Sequence, residues 1–359
     1  MNEKVIELLC VGNAIVDVFA GDGNGLALRY GLNEPVQHVE IGILKAILSE
    51  LGEIMIVSGG GAANAAKISG FLGANVGFIG AIGDDNYGRL FEEDLKAAGV
   101  RTNLIEKRSP TGICLVLQTG EGMRIAASPS AALELSESDI SGEEIKKAKV
   151  VVIDGFMLGR RGLVRHLLAL ANKHGAAVSI DLGSAAIAAE EAAEIASYIV
   201  SYIASNGASN GASNAAYYVR QNPFFLFMNE DEAASYHNAL NRPAAAFEQT
   251  REFFRSLTEE KPFLVIVVKL GRRGAVCFSG GDCFHAGTEA VEPVETTGAG
   301  DAFCGAFLTA WARGKSLVEC AALGNKAARI VLEGAGTKVD KTAFKNMAVL
   351  LESTSPQHE

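Results

Sequence analysis

Along the chain, apolar positions fall into short continuous runs separated by longer segments with helical spacing. IELLCVG, NVGFIGAIG, KVVVIDGF, AAVSIDLG, FFLFMNE and FLVIVVKLG are mostly apolar throughout, the pattern of strands covered on both faces. Between them, GAANAAKISGFLGA, NYGRLFEEDLKAAG, RRGLVRHLLALANKHG and AAEEAAEIASYIVSYI carry the three-to-four spacing of helices. Strand then helix, repeated, predicts an α/β fold with a doubly wound, mostly parallel sheet flanked by helices. Two stretches break the rhythm, about 16–41 and about 105–128. The second contains TGICLVLQTGEGMRIAAS, where apolar and polar residues alternate around a Gly-Glu-Gly turn. Alternation suits a sheet with one open face, so these stretches are expected to pair into a small second sheet. At about 204–215, ASNGASNGASN repeats a four-residue unit with nothing to bury. It reads as a flexible surface insert, with a polar interaction tract as the alternative.

With 359 residues, 48% of them hydrophobic, the chain can build one large core, and a single domain over 1–359 is expected. Acids outnumber bases by 42 to 32, with no block of lysine or arginine, so the footprint of a nucleic-acid binder is missing. MNEKVIELLCVGN lacks a basic start followed by a long apolar run, and no apolar run reaches about 18 residues. A cytoplasmic protein with a small-molecule partner and no membrane association is the expectation. Cys10, Cys114, Cys277, Cys283, Cys304 and Cys320 form no CxxC pair, which favours buried reduced thiols over disulfides or zinc.

The stretch with the most chemistry is ETTGAGDAFCGAF, Glu295 to Phe307. After Asp301 the residues are apolar almost all round, so a buried helix starts here with its N-terminus toward something enclosed. Free N–H groups and the positive dipole end favour an anion, and the glycines let it approach the backbone. A carboxylate would repel a phosphate unless it takes a proton from a hydroxyl attacking that phosphate. For this stretch alone, a first-turn acid that complements the dipole behind a glycine turn explains Asp301 equally well. Other phosphate motifs are missing: GKS at Gly314 to Ser316 has Thr309 where a P-loop needs glycine, and no GxGxxG follows the first strand.

Together with SGGGAANAAKISGFLGANVGFIGAIGDDNYG, Ser58 to Gly88, this stretch resembles the paired signature motifs of the ribokinase-like (PfkB) family of carbohydrate and nucleoside kinases. The order of elements is similar to that family over nearly the whole chain. The resemblance implies an ATP-dependent kinase that transfers the γ-phosphoryl group to a CH2OH hydroxyl of a sugar or sugar-like substrate. It implies Asp301 as general base and the N–H groups of Gly298, Ala299 and Gly300 as an anion hole. In VGNAIVDVFA, Asn13 and Asp17 match sugar-contacting positions, and Gly60, Gly61 and Asn64 of GGGAAN reach the same pocket. Asn229 and Glu232 of MNEDEA match the NxxE element that organises Mg2+ and phosphates, Glu232 through water; the same spacing is also a helix capping box. Lys269, Gly271 and Gly274 of VVKLGRRGAV match the strand and turn beside ATP, although a GxxG between strands is by itself a hairpin turn. Asn325 matches a position near the adenine, with Gly334 to Gly336 close to the same edge.

Two departures stand out. Glu295 is found where the family usually has Asp, which bears on the monovalent cation that the resemblance otherwise allows, and Lys269 where Thr is common. Family members carry a small β-sheet lid, which implies that about 16–41 and 105–128 close over the sugar and exclude water. A homodimer through that lid is left open. VGNAIVDVFA and TGICLVLQTGEGMR look most like members grouped with adenosine kinases, so adenosine is the alternative acceptor, with Phe19, Tyr30 or Phe156 to hold its base. A non-catalytic sugar-binding protein on the same fold is a third reading, opposed by the intact Asp301, Gly298 and Gly300.

Overall fold

The structure, a computed structural model, describes residues 4–22, 25–120, 122–205, 221–240, 246–292, 297–334 and 341–352. Its strands, in chain order, are β1 (Ile6–Val11), β2 (Ile15–Gly21), β3 (Val36–His38), β4 (Ile54–Gly59), β5 (Val76–Gly83), β6 (Arg101–Lys107) and β7 (Gly112–Thr119). They continue with β8 (Gly122–Ser128), β9 (Ala148–Asp154), β10 (Ala177–Asp181), β11 (Phe224–Asn229), β12 (Leu264–Lys269), β13 (Ala275–Ser279) and β14 (Asp282–Ala286). Among the described residues they form a nine-stranded sheet, β14-β13-β12-β11-β10-β9-β1-β5-β6, and a five-stranded sheet, β3-β8-β7-β2-β4. The large sheet is parallel except for β13 and β14, which return as antiparallel hairpins. This is the doubly wound arrangement that the alternation of strand and helix predicts.

Both faces of the large sheet are covered. Leu8, Cys10, Val150, Val152, Phe225 and Phe227 point into one core, while Leu9, Val11, Val151, Ile153, Leu226 and Met228 point into the other. Strands buried on both sides have no polar alternation, which is why their sequences are continuous apolar runs. In the first core the helix Ala299–Ala312 lies against the helix Gly61–Phe71. A side chain on Gly305 would put its first carbon 2.5 Å from the Ala65 carbonyl oxygen, and Ser69 Oγ reaches the Gly305 carbonyl at 3.1 Å. Phe307 packs edge-on to Phe225 and Phe227, with centroids 5.9 and 5.2 Å away.

The small sheet alternates. Val16, Val18, Ile113, Leu115 and Leu117 are buried in one core with Leu44 and Ile47 of the helix Ile41–Glu50, and Asp17 and Cys114 take the opposite face. The expected segments differ from the observed strands at two places. Ile105 to Lys107 belongs to β6 on the large sheet, where pairing with β5 continues to Gly83↔Lys107. The small sheet also includes β4, paired antiparallel with β2 from Ile15↔Gly59 to Ala20↔Ile54. The segment AAEEAAEIASYIVSYI is split between the helices Ala185–Glu190 and Ala192–Ser205. Asp85 couples the sheets: it caps the helix Asn86–Ala97 through Gly88 N–H at 2.9 Å and also accepts from Thr111 Oγ1 at 2.7 Å, just before β7.

The six cysteines are free thiols, as expected, with Cys10, Cys277, Cys304 and Cys320 buried. Among the described residues no helix is long and apolar enough to cross a membrane. The insert at about 204–215 lies outside the described residues beyond Ser205, and so does Glu295.

Candidate active site

Several parallel strands deliver a polar residue to the same edge of the large sheet. Asp154 ends β9, Asp181 ends β10, Asn229 ends β11 and Lys269 ends β12, while Asn13 lies two residues beyond β1. Asp154 pairs in register with Asp181, and Asn229 with Lys269. In open α/β sheets the crevice beyond the carboxyl ends of the strands is where ligands bind.

The helix Ala299–Ala312 points its N-terminus at this edge. Gly298 adopts the left-handed conformation there, with φ 79°, which only glycine takes readily. The first helical hydrogen bond is Ala302 N–H to Gly298 C=O at 2.9 Å, so the N–H groups of Ala299, Gly300 and Asp301 precede the helix's own ladder. Asp301 Oδ2 accepts from Asn64 Nδ2 at 2.9 Å. Burial, with Asp181 adding repulsion, pushes the Asp301 carboxyl up to about 7, against the pull of Asn64 and Lys269.

Asp301 lines a cavity of about 560 Å³ together with Asp181, Asn229, Glu232, Lys269 and Gly300, and with Thr288, Asn325, Ala328 and Leu332. Gly271 and Gly274 also line it; both have positive φ, in the turn between β12 and β13. A side chain on Gly274 would overlap the Ala286 carbonyl. Asn325 is buried, and its Nδ2 donates to the carbonyl oxygens of Ala286 and Gly287 at 2.8 and 3.2 Å. Its donor group thus fastens the helix Leu317–Glu333 to the end of β14.

Asn229 and Glu232 form a reciprocal cap on the helix Glu230–Leu240. Glu232 accepts from Asn229 N–H and Nδ2, both at 2.8 Å, and Glu232 N–H donates to Asn229 Oδ1 at 2.9 Å. Burial, reinforced by Asp181, pushes the Glu232 carboxyl up. Lys269 Nζ contacts both oxygens of Asp181, at 2.9 and 2.7 Å, and Cys304 Sγ donates to Asp181 Oδ2 at 3.0 Å.

The residues expected to meet a sugar reach Asp301 through Asn64 and Gly61. A side chain on Gly60, φ 96°, would overlap the Asn13 carbonyl, and one on Gly61 would come 3.3 Å from Asp301 Oδ1. The glycine run thus lets β4 turn into the helix Gly61–Phe71 while touching both neighbours. Asp17 lies across the small sheet from Cys114, and its carboxylate occupies the space a side chain on Gly59 would need. Burial, then the Asp17 charge, pushes the Cys114 thiol up. Asn13 is buried, and its Oδ1 accepts from Arg160 Nη2 at 2.7 Å. Arg160 Nη1 donates to the Ala132 carbonyl at 2.7 Å. Asp154, buried behind them, has its carboxyl pushed up by burial despite N–H bonds from Phe156, Ala62 and Asn13 and the nearby Arg160.

Asp154, Arg160 and Asp181 were not singled out by the sequence. A single acid closing an apolar strand, as in KVVVID and AVSID, was the available signal. Of the aromatic residues weighed for a base, Phe156 is 52% exposed, and a side chain on Gly183 would meet its ring at 2.9 Å. Tyr30 instead donates to Glu50 at 2.5 Å.

Residues 33–343 match the family model described as pfkB family carbohydrate kinase. An adenosine kinase of Schizophyllum commune is 27% identical over 351 residues, covering 92% of this chain and 96% of that protein. A 5-dehydro-2-deoxygluconokinase of Listeria monocytogenes is 25% identical over 366 residues, covering 92% and 91%. The crystal structure of the adenosine kinase from Sinorhizobium meliloti superimposes with a TM-score of 0.78 at 23% identity, over 96% of this chain and 99% of that one. The fold they share is the ribokinase-like one.

Proposed function

This chain belongs to the pfkB family of carbohydrate kinases, and from that premise we propose that it transfers the γ-phosphoryl group of ATP to a CH2OH hydroxyl of a sugar or sugar-like substrate, with Asp301 as general base. The observation that carries the reading is that Asp301 lines the cavity and is also tied through Asn64 to the glycine run, whose Gly59 and Gly60 lie against Asp17 and Asn13. The acceptor oxygen attacks the γ-phosphorus as the bond to the β-γ bridging oxygen breaks. Asp301 takes the hydroxyl proton, and ADP leaves. The N–H groups of Gly298, Ala299 and Gly300 stabilise the charge on the phosphoryl oxygens. Gly271, Gly274 and Asn325 border the nucleotide, and Asn229 and Lys269 meet its phosphates.

Asn13 acts on the sugar as a donor through Nδ2, while Arg160 holds its amide oxygen. Asp17 accepts from sugar hydroxyls. For magnesium, among the described residues no three His, Cys, Asp or Glu side chains gather to cage a metal, and Asn229 engages both Glu232 oxygens. That set suits Mg2+ carried on the nucleotide phosphates, with Glu232 reaching it through water. Bound so, the ion would neutralise phosphate charge.

Adenosine is the second reading, favoured by the exposed ring of Phe156 at the end of β9 and by the name of the Schizophyllum commune relative. A coupled assay of ADP release with ribose, fructose, 2-keto-3-deoxygluconate, adenosine, inosine and phosphosugars tests both. Turnover of at least one free sugar is expected. Turnover of adenosine alone would reverse the order. Tight sugar binding with no phosphorylated product would leave a binding protein on a kinase fold.

A further inference from the structure

Lys269 is enclosed, with 15% of its side chain open, and its ammonium reaches past β11 to Asp181, itself 22% open. Strand pairing does not require this contact, because β10 and β12 each pair with β11 along their length. Nor is it an economical way to add stability, since a buried ion pair often does no better than apolar packing. Its location is what matters. A side chain on Gly300 would come 3.2 Å from the ammonium, so the charge stands beside the open first turn of the helix Ala299–Ala312. Asp181 is held from that helix as well, by Cys304 Sγ at 3.0 Å.

We infer that Lys269 is a further catalytic residue, whose ammonium donates to the transferred phosphoryl group, and that Asp181 is the positioning residue that aims it at the helix N-terminus. The inference rests on the kinase reading above. The carboxylates of Asp181, Glu232 and Asp301 all act on this region, and a polyphosphate arriving among them needs a cation from the protein. Burial alone would push the Lys269 ammonium down, but Asp181, helped by Glu232, holds it well above the ordinary lysine range. It therefore stays charged as the transition state spreads negative charge over the equatorial phosphoryl oxygens.

The test is calorimetry on the full chain with Mg2+, titrating ADP and, separately, the non-hydrolysable β,γ-imido analogue of ATP. The variants are Lys269→Met, Lys269→Arg, Asp181→Asn and the double variant Lys269→Met with Asp181→Asn, which leaves no unpaired charge buried. Lys269→Met and the double variant are expected to lose about tenfold or more in affinity for the analogue, with ADP affinity within about twofold of wild type. Their kcat should fall about 100-fold. Lys269→Arg should recover most of the analogue affinity, and Asp181→Asn should lose kcat while still binding ADP. A folded double variant that keeps wild-type analogue affinity and kcat would overturn the inference, as would equal losses for ADP and analogue. Wild-type protein that binds neither nucleotide would sink the kinase reading, and this inference with it.

Discussion

Asp301 has a carboxyl pushed up to about 7, first by burial and then by Asp181, and a general base works only once deprotonated. The kcat/KM of the protein is therefore predicted to rise with pH through about 7 and level off above it. A flat profile from about pH 5.5 to 8.5 would show an ordinary carboxylate, or none, in the base role. Stability has the opposite sign. A carboxyl with a higher pKa in the folded state takes up a proton on folding, so its contribution favours the fold at low pH and fades as pH rises through about 7. Asp301→Asn removes that dependence, and its melting midpoint relative to wild type should climb from about pH 4 to about pH 7 and level off above. At Asp17 the effect belongs to binding. Asp17→Ala should raise the sugar KM about tenfold or more, as loss of a charged hydrogen bond in a closed pocket does, while the KM for ATP stays put. An unchanged sugar KM would remove Asp17 from the site.

The chemistry depends on two helices meeting, because Asn64 and Asp301 sit at their facing ends. Gly305→Ala would bring a methyl group to 2.5 Å from the Ala65 carbonyl and force the helices Gly61–Phe71 and Ala299–Ala312 apart, at a cost of about 1–3 kcal/mol. A lower urea midpoint and a reduced kcat are expected together; full activity in that variant would show that the close approach is dispensable. Elements of this kind were legible in sequence where pattern and burial coincide. The continuous apolar runs became the large sheet, and MNEDEA became the reciprocal cap its spacing allows. β4 was not legible, because IMIVSG runs straight into the glycine motif and its outer residues Ile54 and Met55 stay exposed. Asp154 and Asp181 were missed for a related reason: one acid at a strand end has no local signature until neighbouring strands put others beside it. The partner of Lys269 is a tertiary fact, since 88 residues separate it from Asp181.

At the scale of the molecule, the small sheet carries Asp17 and joins the large sheet through the glycine run after β4 and through Asp85 before β7. If the small sheet closes over the acceptor, hydrogen exchange in β2, β4 and β7 should slow when sugar and the non-hydrolysable ATP analogue are both present, and less with either alone. Equal exchange in all states would argue against closure. In the proposed function the nucleotide cavity and the sugar-binding residues meet at Asp301, in the first turn of the helix Ala299–Ala312. The most direct measurement is kcat of Asp301→Asn with the acceptor found in the panel, taken with ATP affinity on the same protein. The account predicts a fall of about 10²-fold or more, with ATP affinity within about twofold of wild type, because the Asn side chain still suits the helix start. A near-normal kcat in a folded, ATP-binding variant would contradict it.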